Sequence, residues 1–216
     1  MRVPVIGVTG PIASGKTTVA KIMAAAGGAL VDCDALGARA LEAPEVRNSI
    51  VAAFGAGVLD ARGAVSRRKL ARVVFASDRN LERLNRIVRA PLKRIITREV
   101  LKRRARAPYI VLDAVLLFQY KFRFKVDYVV ATRAFRAKRI ARIMRRDGVS
   151  RGEALARIER QRKLESGWAK ADVSIATDRK LANVRAEAGR IRDRFLARPD
   201  TTGRKARCRR NSRTGR

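Results

Sequence analysis

Residues 7–17, Gly7-Val8-Thr9-Gly10-Pro11-Ile12-Ala13-Ser14-Gly15-Lys16-Thr17, restrict what the start of this chain can fold into more than any other stretch. Gly10 to Thr17 fits the phosphate-loop pattern G-x-x-x-x-G-K-[ST], and the apolar run Val3-Pro4-Val5-Ile6 precedes it as a buried parallel strand should. Gly10 and Gly15 let the backbone curl so that successive N–H groups face one centre. A helix opening near Lys16 turns its partial positive charge toward the same point. That centre suits a polyphosphate. Lys16 is expected on the β- and γ-phosphate oxygens and the Thr17 hydroxyl on Mg²⁺. Ile12, Ala13, Ser14, Gly15 and Thr18 complete the expected nucleotide cradle.

Apolar periodicity downstream alternates between strand and helix. Strands are predicted over 3–9, 29–32, 109–113, 127–131 and 172–177. Helices are predicted over 15–26, closed by Gly27-Gly28, then over 35–41 and 45–54, split by Pro44. Further helices cover 66–75 and the region from 78 to 100, where Pro91 bends or restarts the helix, then 135–146, 151–163 and 178–195. This order implies an α/β fold, a P-loop kinase type with a parallel sheet of about five strands, helices on both faces and a helical lid. Ligands are expected at the carboxyl ends of the strands. One domain spans 1–196; beyond it the apolar periodicity stops, and the basic tail 197–216 is expected to be disordered.

A chain of 216 residues, 47% of them hydrophobic, can bury a sizeable core. Cys33 and Cys208 form no C-x-x-C pair and no disulfide framework, so a reducing cytoplasm is expected. The apolar stretch 110–118 is interrupted by Asp113 and falls far short of the ~20 residues that span a bilayer, so no membrane partner is expected. The N-terminal strand runs straight into the loop, which argues against a signal peptide. Fifty-one Lys and Arg against 19 Asp and Glu give a net charge of +32, and there is no histidine. Residues 197–216 carry eight basic groups and one acid, so +25 remains on residues 1–196. Such a surface attracts polyanions non-specifically and with steep salt dependence. The plainer expectation is that an arginine-rich coding composition produces it. With 5% aromatic residues and no RNA-recognition signature, no specific nucleic-acid partner is expected.

Two features favour a small-molecule kinase over a GTPase or motor. Val31-Asp32-Cys33-Asp34 ends the second strand with two carboxylates, where an acceptor hydroxyl should lie. Asp34 is expected to orient or deprotonate that hydroxyl, and Asp32 to hold a second hydroxyl or assist Mg²⁺. The competing reading is that Asp34 caps the helix from Ala35. Arg139, Arg142, Arg145 and Arg146 lie in the helix after the fourth strand, with 139, 142 and 146 on one face. They are placed to close over ATP and neutralise charge on the transferred phosphoryl group.

The chain also resembles the dephospho-CoA kinases, which phosphorylate the ribose 3′-hydroxyl of dephospho-CoA in the last step of coenzyme A synthesis. The resemblance covers nearly all of residues 3–196. The family's T-G-G-I-G-S-G-K-[ST] is similar to Thr9 through Thr17, and its D-A-D to Asp32-Cys33-Asp34. Its D-G-x-[LV]-x-R-x-x-L and following F are echoed by residues 62–70 and Phe75, and its P-L-L-F-E by Val115-Leu116-Leu117-Phe118-Gln119. Its R-x-x-x-R-D, downstream Q and A-D-V are similar to Arg142 to Asp147, Gln161 and Ala171-Asp172-Val173. The resemblance implies ATP and Mg²⁺, with Lys16, Asp34 and Arg142 catalytic and Arg146 on the nucleotide. It also implies Asp32, Asp34, Arg67 and Leu117 on the dephospho-CoA side.

Departures gather on that acceptor side. Val115 and Gln119 replace the family's Pro and Glu, Arg89-Ala90-Pro91 stands for its H-P, Ala38 for an Arg or His, and Thr177 for an Asn. In the loop, Pro11 and Ala13 replace glycines, and Pro11 removes an N–H. A related nucleoside or nucleotide kinase, a nucleic-acid-binding module on the same fold, and a pseudo-enzyme are the alternatives these changes leave open.

Overall fold

Val5–Thr9 (β1) is buried along its whole length, which is why it reads as an unbroken apolar run rather than an alternating one. The computed structural model describes residues 2–120, 122–162 and 165–198. After β1 come α1 (Lys16–Ala24), β2 (Ala29–Asp32), α2 (Cys33–Ala40), α3 (Pro44–Phe54), α4 (Arg67–Val74) and α5 (Asp78–Arg104). Then follow β3 (Ile110–Asp113), β4 (Tyr128–Arg133), α6 (Arg136–Asp147), α7 (Arg151–Glu159), α8 (Glu165–Trp168), β5 (Val173–Ala176) and α9 (Leu181–Leu196). The strands form one five-stranded sheet in the order β2-β3-β1-β4-β5, and every pairing is parallel. The expected α/β architecture is thus present, with β1 at the centre.

Both faces of the sheet are covered. Ile6, Val8, Val111, Val130 and Ile175 pack with Val19 and Met23 of α1 and Val184 and Phe195 of α9. On the other face Val5, Val31, Ile110 and Leu112 meet Leu36 of α2 and Leu92, Ile96 and Val100 of α5. A smaller core of Val46, Ile50, Leu70 and Val74 joins α3 and α4, with Leu84 and Ile87 of α5 packed on it. The lid has its own core, Ile140, Ile143, Ala154 and Ile158 from α6 and α7, on which Ile12 and Ala13 of the loop rest.

Pro91 neither ends nor restarts α5, which runs through it for 27 residues. A mid-helix proline costs about 3 kcal/mol. Here the turns before it are held by the α3–α4 core and the turns after it by the sheet, so burial on both sides outweighs that cost. Pro44 occupies the first turn of α3, where the missing N–H has no helical partner to lose. The last helix starts at Leu181, later than expected, because the Asp178 side chain accepts the Phe135 N–H at 3.1 Å and holds the preceding turn to the lid.

The stretch Tyr120 to Lys125 alternates aromatic and basic residues, a pattern that base-stacking surfaces also use. Its rings instead stack on one another, 5.7 Å between Tyr120 and Phe122 and 4.8 Å between Phe122 and Phe124, and pack against the sheet core. They fill an edge of the interior. Among the described residues no helix is long and apolar enough to cross a membrane. Cys33 is a buried free thiol, while Cys208 and all but two residues of the expected tail lie outside the described residues.

Candidate active site

Parallel register brings three carboxyl ends together. Asp113 pairs with Asp32 across β3 and β2 and with Val8 across β3 and β1, so both acids stand beside the loop that leaves β1. The loop turns at Gly10, φ 141°, where a Cβ would lie 2.6 Å from the Thr132 carbonyl oxygen. The Ser14 N–H donates to Pro11 O at 3.1 Å, and Gly15, φ 83°, caps α1. Ser14 is fully buried, its hydroxyl 2.6 Å from that of Thr132, so its side chain ties the loop to β4. Ala13 holds φ 60°. A side chain in that left-handed region costs about 1–2 kcal/mol. Ala13→Gly is therefore expected to stabilise the protein by about 0.5–1 kcal/mol after the added unfolded-state entropy is subtracted. Denaturant unfolding checks this, and a lower midpoint contradicts it.

Lys16 is 8% exposed and forms an ion pair with Asp113, itself 1% exposed. The Thr17 hydroxyl donates to the other Asp113 oxygen at 2.7 Å. Asp113 therefore gathers the ammonium and the hydroxyl expected on the phosphates and on Mg²⁺. From the sequence it was legible only as an acid ending a strand. Asp34 stands on the open side of Lys16, 3.6 Å from its Nζ, with 66% of its side chain exposed. The cleft wall strips water from this carboxyl and raises its pKa from the ordinary value; Lys16 opposes the shift, and Asp113 and Asp32 add to it.

The helix cap falls on Asp32 rather than Asp34. Asp32 Oδ1 accepts the N–H groups of Asp34 and Ala35, each at 3.0 Å, because α2 starts two residues earlier than its apolar pattern suggests. This commits one Asp32 oxygen to structure and leaves the Asp34 carboxylate to face the cleft.

The lid arginines divide their work. Arg142 donates to Ala13 O at 3.0 Å and to the Thr177 hydroxyl and carbonyl oxygens at 3.1 and 2.6 Å. Arg139 donates to Ile12 O at 3.0 Å. The Thr177 hydroxyl, standing for the family's Asn, donates to Ser14 O at 2.6 Å, so the residue just past β5 braces the loop directly. Arg146 grips Asp147 through two bonds of 2.7 and 3.0 Å, which raises the pKa of the guanidinium and lowers that of the acid; Arg157 also pairs with Asp147. Arg142, Arg145 and Arg146 line one side of a cleft of about 900 Å³; Ile12, Ala13, Gly15, Lys16, Thr17, Thr18 and Asp34 line much of the remainder with Val115, Leu116, Arg179 and Leu181, and Gln161 and Thr177 also reach it.

Two expected acceptor residues lie elsewhere. Leu117 is buried in the sheet core, filling the space that Gly7 leaves: a Cβ at Gly7 would sit 2.5 Å from it. Its neighbours Val115 and Leu116 face the cleft instead. Arg67, at the start of α4, lines a separate hollow of about 290 Å³ with Arg47, Arg62 and Ala38. The Ile12 N–H donates to Gln161 Oε1 at 2.7 Å, a contact with the lid side rather than one of the free loop amides expected.

Residues 4–183 match the family model described as CoaE, dephospho-CoA kinase. The chain belongs to the dephospho-CoA kinase family. It is 35% identical over 173 residues to the dephospho-CoA kinase of Geobacter sulfurreducens, covering 79% of this chain and 88% of that one. The crystal structure of TT1252 from Thermus thermophilus, 31% identical, superposes with a TM-score of 0.74 over 89% of this chain and 98% of the other. The dephospho-CoA kinase of Campylobacter jejuni, 22% identical with a TM-score of 0.57 over 88% of this chain and 96% of its own, shares the fold. In this dephospho-CoA kinase family member Lys16, backed by the buried Asp113, lines the same cleft as the Asp34 carboxylate and the α6 arginines.

Proposed function

We propose that the protein transfers the γ-phosphoryl group of ATP to the ribose 3′-hydroxyl of dephospho-CoA, yielding coenzyme A and ADP. Family membership supports the activity. The observation that supports the site assignment is the 3.6 Å approach of the Asp34 carboxylate to Lys16 at the mouth of the loop, the spacing a base beside a phosphate-holding lysine requires. The amides of Ala13 and of Gly15 to Thr18, with the dipole end of α1, bind the polyphosphate, and Lys16 turns from Asp113 to the phosphate oxygens. Asp34 accepts the hydrogen bond of the acceptor hydroxyl. As the new O–P bond forms, the hydroxyl proton passes to Asp34, and the bond to the β–γ bridging oxygen breaks with its electrons staying on ADP. Arg142, held at Thr177 and Ala13, presents fixed positive charge to the transferred group; Arg145 and Arg146 add to the same wall.

The Thr17 hydroxyl and Asp113 carboxylate, 2.7 Å apart at the helix N-terminus, are hard oxygen donors that would hold Mg²⁺ together with phosphates and water. Mg²⁺ bound there would offset the charge of the β- and γ-phosphates. Val115 facing the cleft, where the family has Pro, makes acceptor choice the point to test. A panel of dephospho-CoA, adenosine and AMP with ATP and Mg²⁺ is expected to give kcat/KM at least about 100-fold higher for dephospho-CoA. Preference for adenosine or AMP would assign a different acceptor.

The net charge of +32 is expected to bind duplex DNA weakly at about 50 mM salt and to release it by about 300 mM, as counterion-driven binding does. Binding that survives at the higher salt and is displaced by ATP would instead support a nucleic-acid role for the cleft.

A further inference from the structure

The crown of the nucleotide loop, Pro11-Ile12-Ala13, is where this chain departs most from a glycine-rich loop. Pro11 has no N–H, Ala13 holds φ 60°, and the polar backbone atoms between them need partners. The lid side supplies them. Arg139 donates to Ile12 O and Arg142 to Ala13 O, each at 3.0 Å, while Gln161, just beyond the end of α7, accepts the Ile12 N–H at 2.7 Å. Beneath these bonds Ile12 and Ala13 rest on the apolar core shared by α6 and α7.

Gln161 differs from the two arginines in holding a donor of the loop, the kind of group a phosphate oxygen would otherwise take. Two consequences are possible in principle: competition with ATP for that N–H, or support of the loop that receives ATP. The rest of Ile12 decides between them. Its carbonyl oxygen is bound by Arg139 and its side chain packs on the lid core, so the N–H bond completes the docking of one residue onto the lid. The amides left for phosphate follow it: Ala13, then Gly15 onward, the Ser14 N–H being held by Pro11 O.

We infer that Gln161 is a positioning residue for the nucleotide. It clamps the crown of the loop to the lid, so the cradle from Ala13 to Thr18 holds its shape before ATP arrives. This rests on the reading that the loop binds the ATP phosphates. The glycines replaced at 11 and 13 would have given a more mobile crown; the clamp and those replacements both stiffen it.

The test is calorimetric titration of the full chain with ATP, for wild type, Gln161→Leu and Gln161→Glu. Steady-state kinetics, thermal midpoints and hydrogen exchange at the Ile12 amide are read alongside. Loss of one such hydrogen bond corresponds to roughly three- to tenfold weaker binding. Gln161→Leu is expected to raise Kd and KM for ATP by that factor, to speed Ile12 exchange, and to leave KM for dephospho-CoA unchanged. Gln161→Glu keeps an acceptor oxygen and is expected to restore Ile12 protection, while its negative charge in the cleft opposes the phosphates and keeps ATP binding below wild type. Equal or tighter ATP binding by a folded Gln161→Leu, or a Gln161→Glu that leaves the Ile12 amide as unprotected as Gln161→Leu does, overturns the inference. Wild-type protein that binds ATP and responds to Gln161→Leu, yet leaves dephospho-CoA unphosphorylated, supports the clamp and sinks the acceptor assignment alone.

Discussion

Asp34→Asn is expected to lower kcat by about 10²- to 10⁴-fold, the range a positioned general base contributes, while ATP affinity stays within about twofold. The amide keeps the shape of the side chain and loses the ability to take the acceptor proton. Stability should change little, because the α2 cap is made by Asp32 and the Asp34 side chain is largely open to the cleft. The same carboxyl titrates above the ordinary Asp value, first because the cleft wall strips its water. A raised acid keeps its proton to higher pH, so the wild-type rate should fall as pH drops through a point above the usual carboxylate range. The residual rate of Asp34→Asn should lack that limb. A pH–rate series for both proteins checks the two statements together, and undiminished turnover in the variant removes Asp34 from the chemistry.

Lys16→Met is expected to show two separable losses. The first is catalytic: removing a preorganised charge from the phosphoryl group costs on the order of 10²- to 10³-fold in kcat. The second is structural. Asp113 is 1% exposed, and without Lys16 its charge keeps only the Thr17 hydroxyl as a side-chain partner among the described residues. Breaking a buried pair from one side costs about 3–5 kcal/mol, and the Thr17 bond places the expected value near the lower end, about 3 kcal/mol. The double variant Lys16→Met/Asp113→Asn removes the orphaned charge and should recover most of that stability with no recovery of turnover. Denaturant unfolding of the three proteins reads the structural part and steady-state kinetics the catalytic part. A Lys16→Met variant as stable as wild type contradicts the buried pair.

The sheet and the loop were legible from the sequence because each rests on a local signal strong enough to survive folding. β1 and β3 are continuous apolar runs ending at Thr9 and Asp113, and Gly10 and Gly15 mark backbone conformations that a side chain resists. The site was less legible where the decision is tertiary. Asp32 and Asp34 are equivalent as helix-capping residues in the sequence; what separates them is that α2 begins at Cys33, whose burial against the sheet pulls the helix start back. Val115-Leu116-Leu117 gives no clue to which side chain points inward. Gly7, on a neighbouring strand and more than 100 residues away, opens the space that Leu117 fills. Gln161 and Thr177 reach the loop from 149 and 163 residues along the chain, and no local pattern marks either contact. Pro91 is the opposite case, a strong local signal overridden by packing on both sides of it.

The most direct test of the central claim is the product formed when the purified protein, ATP and Mg²⁺ meet dephospho-CoA, read by mass spectrometry and phosphorus NMR. One added phosphoryl group on the ribose 3′-oxygen, formed in step with ADP and strongly diminished in Asp34→Asn, is the predicted result. ADP release without phosphorylated dephospho-CoA, or phosphate found at another position, would contradict it.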